Sequence, residues 1–273
     1  MTTIAVPAAI APAAPSGHRI RWMFADILTV TWRNLLALTR TPEALFFSTL
    51  QPIMFVLLFA YVFGGAIHIP HLKYIDYLMP GIFVQTVSFG AVSTAVGLSE
   101  DLHKGLIERF RALPMARSAV LAGRTTADLS RNVFVVALIT AVGYAVGFRI
   151  GTNVGLFLCG CLLVLGYSYA LGWGFATIGL SASNAETAQV MVFPILFPFT
   201  FASSAFVPVD SMPGWLQAFA KNQPVSQVVG AARSLMVGGP VHDSNAVWIS
   251  LAWIFGFLIV LAPIAVRKYR RVA

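Results

Sequence analysis

Ser168 stands in the run Gly166-Tyr167-Ser168-Tyr169-Ala170, one residue short of the G-x-S-x-G elbow that presents a nucleophilic serine. A serine nucleophile needs a base beside it. The five histidines (His18, His68, His71, His103 and His242) all fall in tails or loops, so no imidazole can serve Ser168 inside an apolar run or build a metal cluster there. Cys159 and Cys161 are one residue apart in an apolar stretch, too close to bridge and without zinc spacing. They read as small packing residues. None of the four lysines follows a glycine, so these 273 residues hold no G-x-x-x-x-G-K-[ST] phosphate loop. If ATP powers this protein, another chain binds it. No cofactor is expected on this one, and the chemistry left to it is binding and passage rather than bond making.

The elements that must position such residues follow from composition. The chain is 58% hydrophobic and 10% charged, against roughly 25% charged in soluble proteins. That excludes a water-soluble globule. A helix crossing the hydrocarbon needs about 20 mostly apolar residues, and six stretches qualify: 45–67, 78–98, 132–148, 155–180, 188–207 and 247–266. The fifth contains Pro194 and Pro198, each lacking a backbone donor, and is expected to kink or break. The first 18 residues lack the basic start of a secretory signal and read as a disordered tail. No span has an ionisable residue at its middle, which argues against a proton-coupled carrier or a membrane enzyme.

Basic residues near span ends stay cytoplasmic. With six spans and both termini inside, the cytoplasmic side holds Arg19, Arg21, Arg33 and Arg40, then Lys104, Arg109, Arg111, Arg117, Arg124 and Arg131, then Arg267, Lys268, Arg270 and Arg271. Lys73, Arg149, Lys221 and Arg233 fall outside. The formal charge of +8 is therefore a topology signal, and no nucleic-acid partner is expected. Residues 19–40 are too polar to span. Arg19, Asp26, Arg33 and Arg40 gather opposite Phe24, Ile27, Leu28, Leu35 and Leu38, the pattern of an amphipathic helix in the membrane interface. Glycines at four-residue spacing (Gly143, Gly147, Gly151 and Gly155) and small residues in spans two and four predict close helix contacts.

The loop after span two runs from Glu100 to Pro114. As a helix it places Glu100, Lys104, Glu108 and Arg111 on one face and Leu102, Leu106, Phe110 and Leu113 on another, ending at Pro114. A lever receiving a push from a soluble subunit and a merely solvated loop helix share this pattern. Glu100, Gly105, Glu108-Arg109, Arg111 and Leu113-Pro114 resemble the E...G..ER.R..P signature of the ABC-2 family of ATP-binding-cassette permeases. Phe206 to Gln217, Asn222-Gln223-Pro224-Val225-Ser226 and Arg233-Ser234-Leu235 resemble that family's extracellular segment before its last helix. With Ser183-Asn184-Ala185-Glu186 the likeness is greatest to the daunorubicin/doxorubicin resistance branch, and it runs from about Trp22 to the C-terminus.

That resemblance implies an all-α, polytopic transmembrane domain over 19–273, with six transmembrane helices, an N-terminal interfacial helix at 19–40 and a re-entrant segment between helices five and six. It implies an exporter of hydrophobic or amphipathic compounds, drugs or antibiotics, in a bacterial plasma membrane; export of a lipid or other envelope component is the alternative, ahead of a stand-alone secondary carrier. The assembly would contain a second permease, identical or different, and two copies of a separate ATPase carrying ATP and magnesium. Glu100, Lys104, Gly105, Glu108, Arg109, Arg111 and Pro114 are implied as the coupling helix. For the cargo path the expectation comes from side-chain chemistry: Phe193, Phe197, Phe199, Phe201 and Phe206 present aromatic faces suited to planar amphiphiles, cations or acyl chains.

Overall fold

The computed structural model describes residues 29, 31, 32, 42–104 and 117–272, and the regular structure among them is helical, with no strand. Helix α1 (Pro42–Leu58) runs into a π-turn at Phe59–Phe63. Helices α2 (Tyr74–Gly90) and α3 (Val92–His103) follow each other through Ala91 as one apolar rod, Tyr74–His103. Then come α4 (Arg117–Val146), α5 (Val154–Gly179) and α6 (Ala185–Phe201). Two short helices, α7 (Gly214–Asn222) and α8 (Pro224–Met236), precede the long α9 (Ser244–Val272). Of the described helices, four are long and apolar enough to cross a membrane: Tyr74–His103, Leu121–Val146, Val154–Gly179 and Ser244–Arg271. The other two predicted spans correspond to shorter apolar helices, Thr49–Phe63 and Ala185–Phe201.

Local chemistry sets several boundaries. The Asn153 side chain accepts the Leu156 amide at 2.8 Å and starts α5, and Asn184 accepts the Thr187 amide at 2.7 Å and starts α6. Gly147 ends α4 at φ +118°, a conformation that favours glycine. The glycine ladder is therefore cut: Gly143 is helical, Gly147 is the stop, Gly151 lies in the turn and Gly155 opens α5. Helix α6 runs unbroken through Pro194 and Pro198 and stops at Phe201 rather than Val207. Both prolines lie on its exposed side, and each removes one backbone donor without ending the helix.

Apolar burial supplies little association energy in lipid, and helices join where backbones approach. A Cβ on Gly81 would lie 2.1 Å from the Ala205 carbonyl oxygen, and one on Gly179 would lie 2.4 Å from that of Ala95. These two glycines seat α2 on the chain leaving α6, and α5 on α3. The core gathers Leu78, Met79, Ile82 and Phe83 of α2, Val164 and Tyr167 of α5, and Val228, Val229 and Ala232 of α8.

Polar contacts mark the two ends of the bundle. The Lys268 ammonium donates to the Ser181 hydroxyl, setting the end of α9 against the α5–α6 turn. At the other end the Arg149 amide donates to the Asp76 carboxylate at 2.9 Å, and the Thr152 hydroxyl donates to the Leu235 carbonyl at 2.7 Å. Of the expected interfacial helix 19–40, only residues 29, 31 and 32 are described. They are helical, and the Thr31 hydroxyl donates to the Gly123 carbonyl at 3.2 Å, holding that segment against α4.

Candidate functional site

Helix α6 places Phe193, Phe197 and Phe201 on one face at four-residue intervals. Their rings run in sequence, Phe193 to Phe197 at 5.5 Å and Phe197 to Phe201 at 5.2 Å between centroids. Phe206 continues the series at 5.4 Å from Phe201 and stacks on Phe59 of the π-turn at 4.5 Å. Phe55 of α1 stands 6.4 Å from Phe201, and Phe89 of α2 stands 5.6 Å from Phe197. The result is an aromatic ladder shared by three elements. Four of the five phenylalanines expected to meet cargo belong to it. Phe199 does not: it turns to the other side, packs on Phe219 of α7 at 5.6 Å, and lines an apolar cleft with Tyr167, Leu171 and Phe257. Its two-residue offset from Phe197 and Phe201, about 200° in a helix of period 3.6, sends it there.

Phe206 is aimed by a braced junction. Where α6 ends, the carbonyls of residues 199–206 lose their helical partners. Arg233 of α8 serves two of them, donating from Nη2 to the carbonyls of Ser204 at 2.5 Å and Ala205 at 3.1 Å, while its Nε donates to the Tyr77 carbonyl of α2 at 2.9 Å. Its guanidinium also lies 3.4 Å from the centre of the Tyr77 ring. The hydroxyl of Tyr74 donates to the Phe206 carbonyl at 3.0 Å, and that of Tyr77 to the Ser204 carbonyl at 3.2 Å. Gln223 donates to the Phe199 carbonyl at 2.9 Å. The sequence reading assigns Arg233 only to a side of the membrane, the outer one; the structure buries it, 4% exposed. Its signal is faint in sequence, because a charge on a short amphipathic helix ordinarily faces water.

Below the ladder, a cleft of about 120 Å³ opens between α1, α2–α3 and α4. Gln51, Gln85, Thr86, Ser93, Arg131 and Asn132 give it polar walls, with Phe55 and Phe89 joining it to the ladder. Arg131 Nη2 donates to the Gly90 carbonyl at 2.5 Å, which the turn at Ala91 leaves outside the helix ladder. Arg124 donates to the Ser93 carbonyl at 3.3 Å and sits 3.5 Å from Asp101 and 3.8 Å from Asp128. Asp128 accepts from Ser93 at 3.0 Å and from Thr94 at 2.6 Å. This cluster joins α3 to the part of α4 that precedes the expected span 132–148. Helix α4 begins at Arg117 rather than near Asn132, so Arg131 stands ten residues, about 15 Å, inside the apolar segment Leu121–Val146. The two arginines and two carboxylates nearly compensate one another.

Ser168 is no nucleophile in this geometry. It is buried and accepts the Asn132 side-chain amide at 2.7 Å, tying α5 to α4. Among the described residues no group of histidine, cysteine, aspartate and glutamate could hold a metal ion.

Of the expected coupling residues, Glu100 and Lys104 are described, and Gly105, Glu108, Arg109, Arg111 and Pro114 lie outside the described residues. Lys104 donates to the Glu100 carboxylate at 2.8 Å on the exposed end of α3. That hydrogen bond, with the carboxylate's charge, holds the Lys104 ammonium above its ordinary range.

Comparison with known proteins decides the family. The profile described as "ABC-2 type transporter" matches residues 25–237. The chain belongs to that family. The daunorubicin resistance ABC transporter permease protein DrrB1 of Streptomyces coeruleorubidus is 35% identical, with 89% of this chain and 85% of the relative aligned. The probable doxorubicin resistance ABC transporter permease protein DrrC of Mycobacterium tuberculosis is 28% identical over 99% of this chain and 98% of its own length. A putative transport permease, ycf38, of Pyropia yezoensis is 24% identical over 77% of this chain and 73% of the relative. As an ABC-2 permease with long apolar helices, the chain is a membrane protein whose relatives are permease subunits of ABC transporters.

Proposed function

We propose that this chain is the membrane permease of an ATP-binding-cassette exporter that carries hydrophobic or amphipathic drugs out across a bacterial plasma membrane. ATP and magnesium bind a separate ATPase subunit, present in two copies, and the permease works as a pair with an identical or a different second permease. In this reading the chain crosses the membrane six times with both termini cytoplasmic. Helices α7 and α8 re-enter from outside, and the interfacial segment 19–40 and the segment 100–114 meet the ATPase. Closure of the ATPase pushes on Glu100, Lys104, Gly105, Glu108, Arg109, Arg111 and Pro114, and the bundle switches between inward and outward access. No bond is made or broken by this chain, and the motor's differential binding of two states drives the cycle.

The observation that carries the cargo assignment is the ladder of Phe193, Phe197, Phe201 and Phe206 with Phe55, Phe59 and Phe89, continuous with a polar cleft. Flat rings accept the faces of planar drugs, and the cleft accepts their polar edges. The test is efflux of daunorubicin from cells carrying this chain with and without a P-loop ATPase subunit. Efflux is expected with both subunits. Replacing Glu108 and Arg109 together by alanine is expected to leave the complex in the membrane while uncoupling ATP hydrolysis from export. Drug movement in vesicles containing this chain alone would overturn the reading.

A further inference from the structure

Gln85 and Thr86 sit side by side on α2, 3% and 7% exposed, and both line the cleft between α1, α2–α3 and α4. Neither the Gln85 Oε1 nor the Thr86 Oγ1 has a protein hydrogen-bond partner. Of the other polar side chains lining the cleft, three are engaged and Gln51 is exposed. Asn132 donates to Ser168, Ser93 bonds the Gly90 carbonyl and Asp128, and Arg131 donates to Gly90. Buried side-chain atoms lacking partners also occur at Ser99, Trp173 and Thr200, but none of these lines the cleft. An adjacent acceptor and hydroxyl, buried without partners in the wall of a cleft that borders an aromatic surface, form a recognition element rather than a packing detail.

We infer that this cleft is a subsite for the uncharged oxygen-bearing edge of an aromatic amphiphile, a ring hydroxyl beside a carbonyl, whose ring system continues along Phe55 and Phe89. The inference rests on the drug-export reading and names the part of the cargo that is recognised. Thr86 can donate to the ligand's carbonyl and Gln85 can accept from its hydroxyl. Arg131 in the same wall carries several N–H donors. Arg131 is the one charged residue lining the cleft; Arg124, Asp101 and Asp128, which bring the formal charge of the cluster to zero, do not line it. About 120 Å³ admits one functionalised ring edge and excludes the rest of a drug-sized molecule, which must lie on the ladder.

The experiment is fluorescence titration of daunorubicin, whose chromophore carries hydroxyl and quinone oxygens on one edge, into nanodiscs holding the full-length chain. Thermal unfolding is measured in parallel. Saturable binding is expected. Gln85→Met and Thr86→Val should each weaken it about tenfold, while Thr86→Ser, which keeps the hydroxyl, stays within about twofold. The unfolding midpoints of Gln85→Met and Thr86→Val should hold or rise, because each removes a buried group that has no partner. If both variants bind like the parent while Phe201→Ala binds weakly, the drug reading stands and the subsite falls. If binding is lost together with a fall in the midpoint, these groups are structural and the subsite falls. If the parent chain shows no saturable binding, the drug reading fails and takes the subsite with it.

Discussion

Arg233 shows how much one side chain can decide. Four side chains, Tyr74, Tyr77, Gln223 and Arg233, meet the backbone where α6 stops, and a single buried guanidinium answers the carbonyls of Tyr77, Ser204 and Ala205. Leaving buried carbonyls without donors costs about 1–3 kcal/mol each. Arg233→Met is therefore expected to destabilise the purified permease by about 3 kcal/mol, read as a lower unfolding midpoint in detergent. Arg233→Lys should recover less than half of that, because an ammonium cannot reach three carbonyls in the plane a guanidinium spans. An unchanged midpoint in Arg233→Met would remove the brace from this account. Ser168 makes the opposite case: its bond to Asn132 is one interhelical hydrogen bond in a membrane setting, worth roughly 0.6 kcal/mol. Ser168→Ala should leave drug efflux intact with a small loss of stability, whereas loss of all function in a stable protein would restore the serine as a reacting group. Neither role was legible from residue type alone. A serine in an apolar run and an arginine in a polar one look the same whether they react, pair or face solvent.

At the scale of elements, the periodic signal located the long helices and mislaid some of their ends. Four of the apolar stretches are helices of spanning length, and α4 extends 15 residues before its apolar stretch begins. Hydropathy stops at Arg131 because a buried, carbonyl-bonded arginine scores the same as a solvated one. The prolines of α6 misled because each costs the helix one donor and crowds its own preceding turn, and in this apolar helix that loss does not end it. Glycine spacing foretold close contact but not its site. Gly81 lies against the Ala205 backbone, where no side chain can yield. Gly81→Ala is expected to cost about 2 kcal/mol by unfolding, while Gly256→Ala, with open space around it, should be neutral or slightly stabilising. Equal effects at both positions would deny that α2 is seated on the junction after α6.

The whole molecule has two polar ends joined by apolar helices. Lys268 against Ser181 defines one end, and Arg149 with Asp76 defines the other. With Cys159 and Cys161 replaced by serine, single cysteines at Ser183 and Arg267 are expected to react with a membrane-impermeant maleimide from the same side. One at Arg149 should react from the opposite side. Labelling of all three from one side would break the alternation on which the six-span proposal depends. The sequence by itself determined the solvent, the class and the family, because apolar run length, charge placement and the Glu100 to Pro114 signature are properties of order along the chain. It also chose the aromatic residues of α6. Only the tertiary structure decided that Phe199 leaves that set, that Phe55, Phe59 and Phe89 join it, and that Gln85, Thr86 and Arg131 form a polar floor beneath it. Those contacts unite residues far apart along the chain, 108 positions for Phe89 with Phe197 and 147 for Phe59 with Phe206, and which of two helix faces meets which neighbour is fixed by backbone approach and by the matching of buried polar groups, neither of which has a period to read.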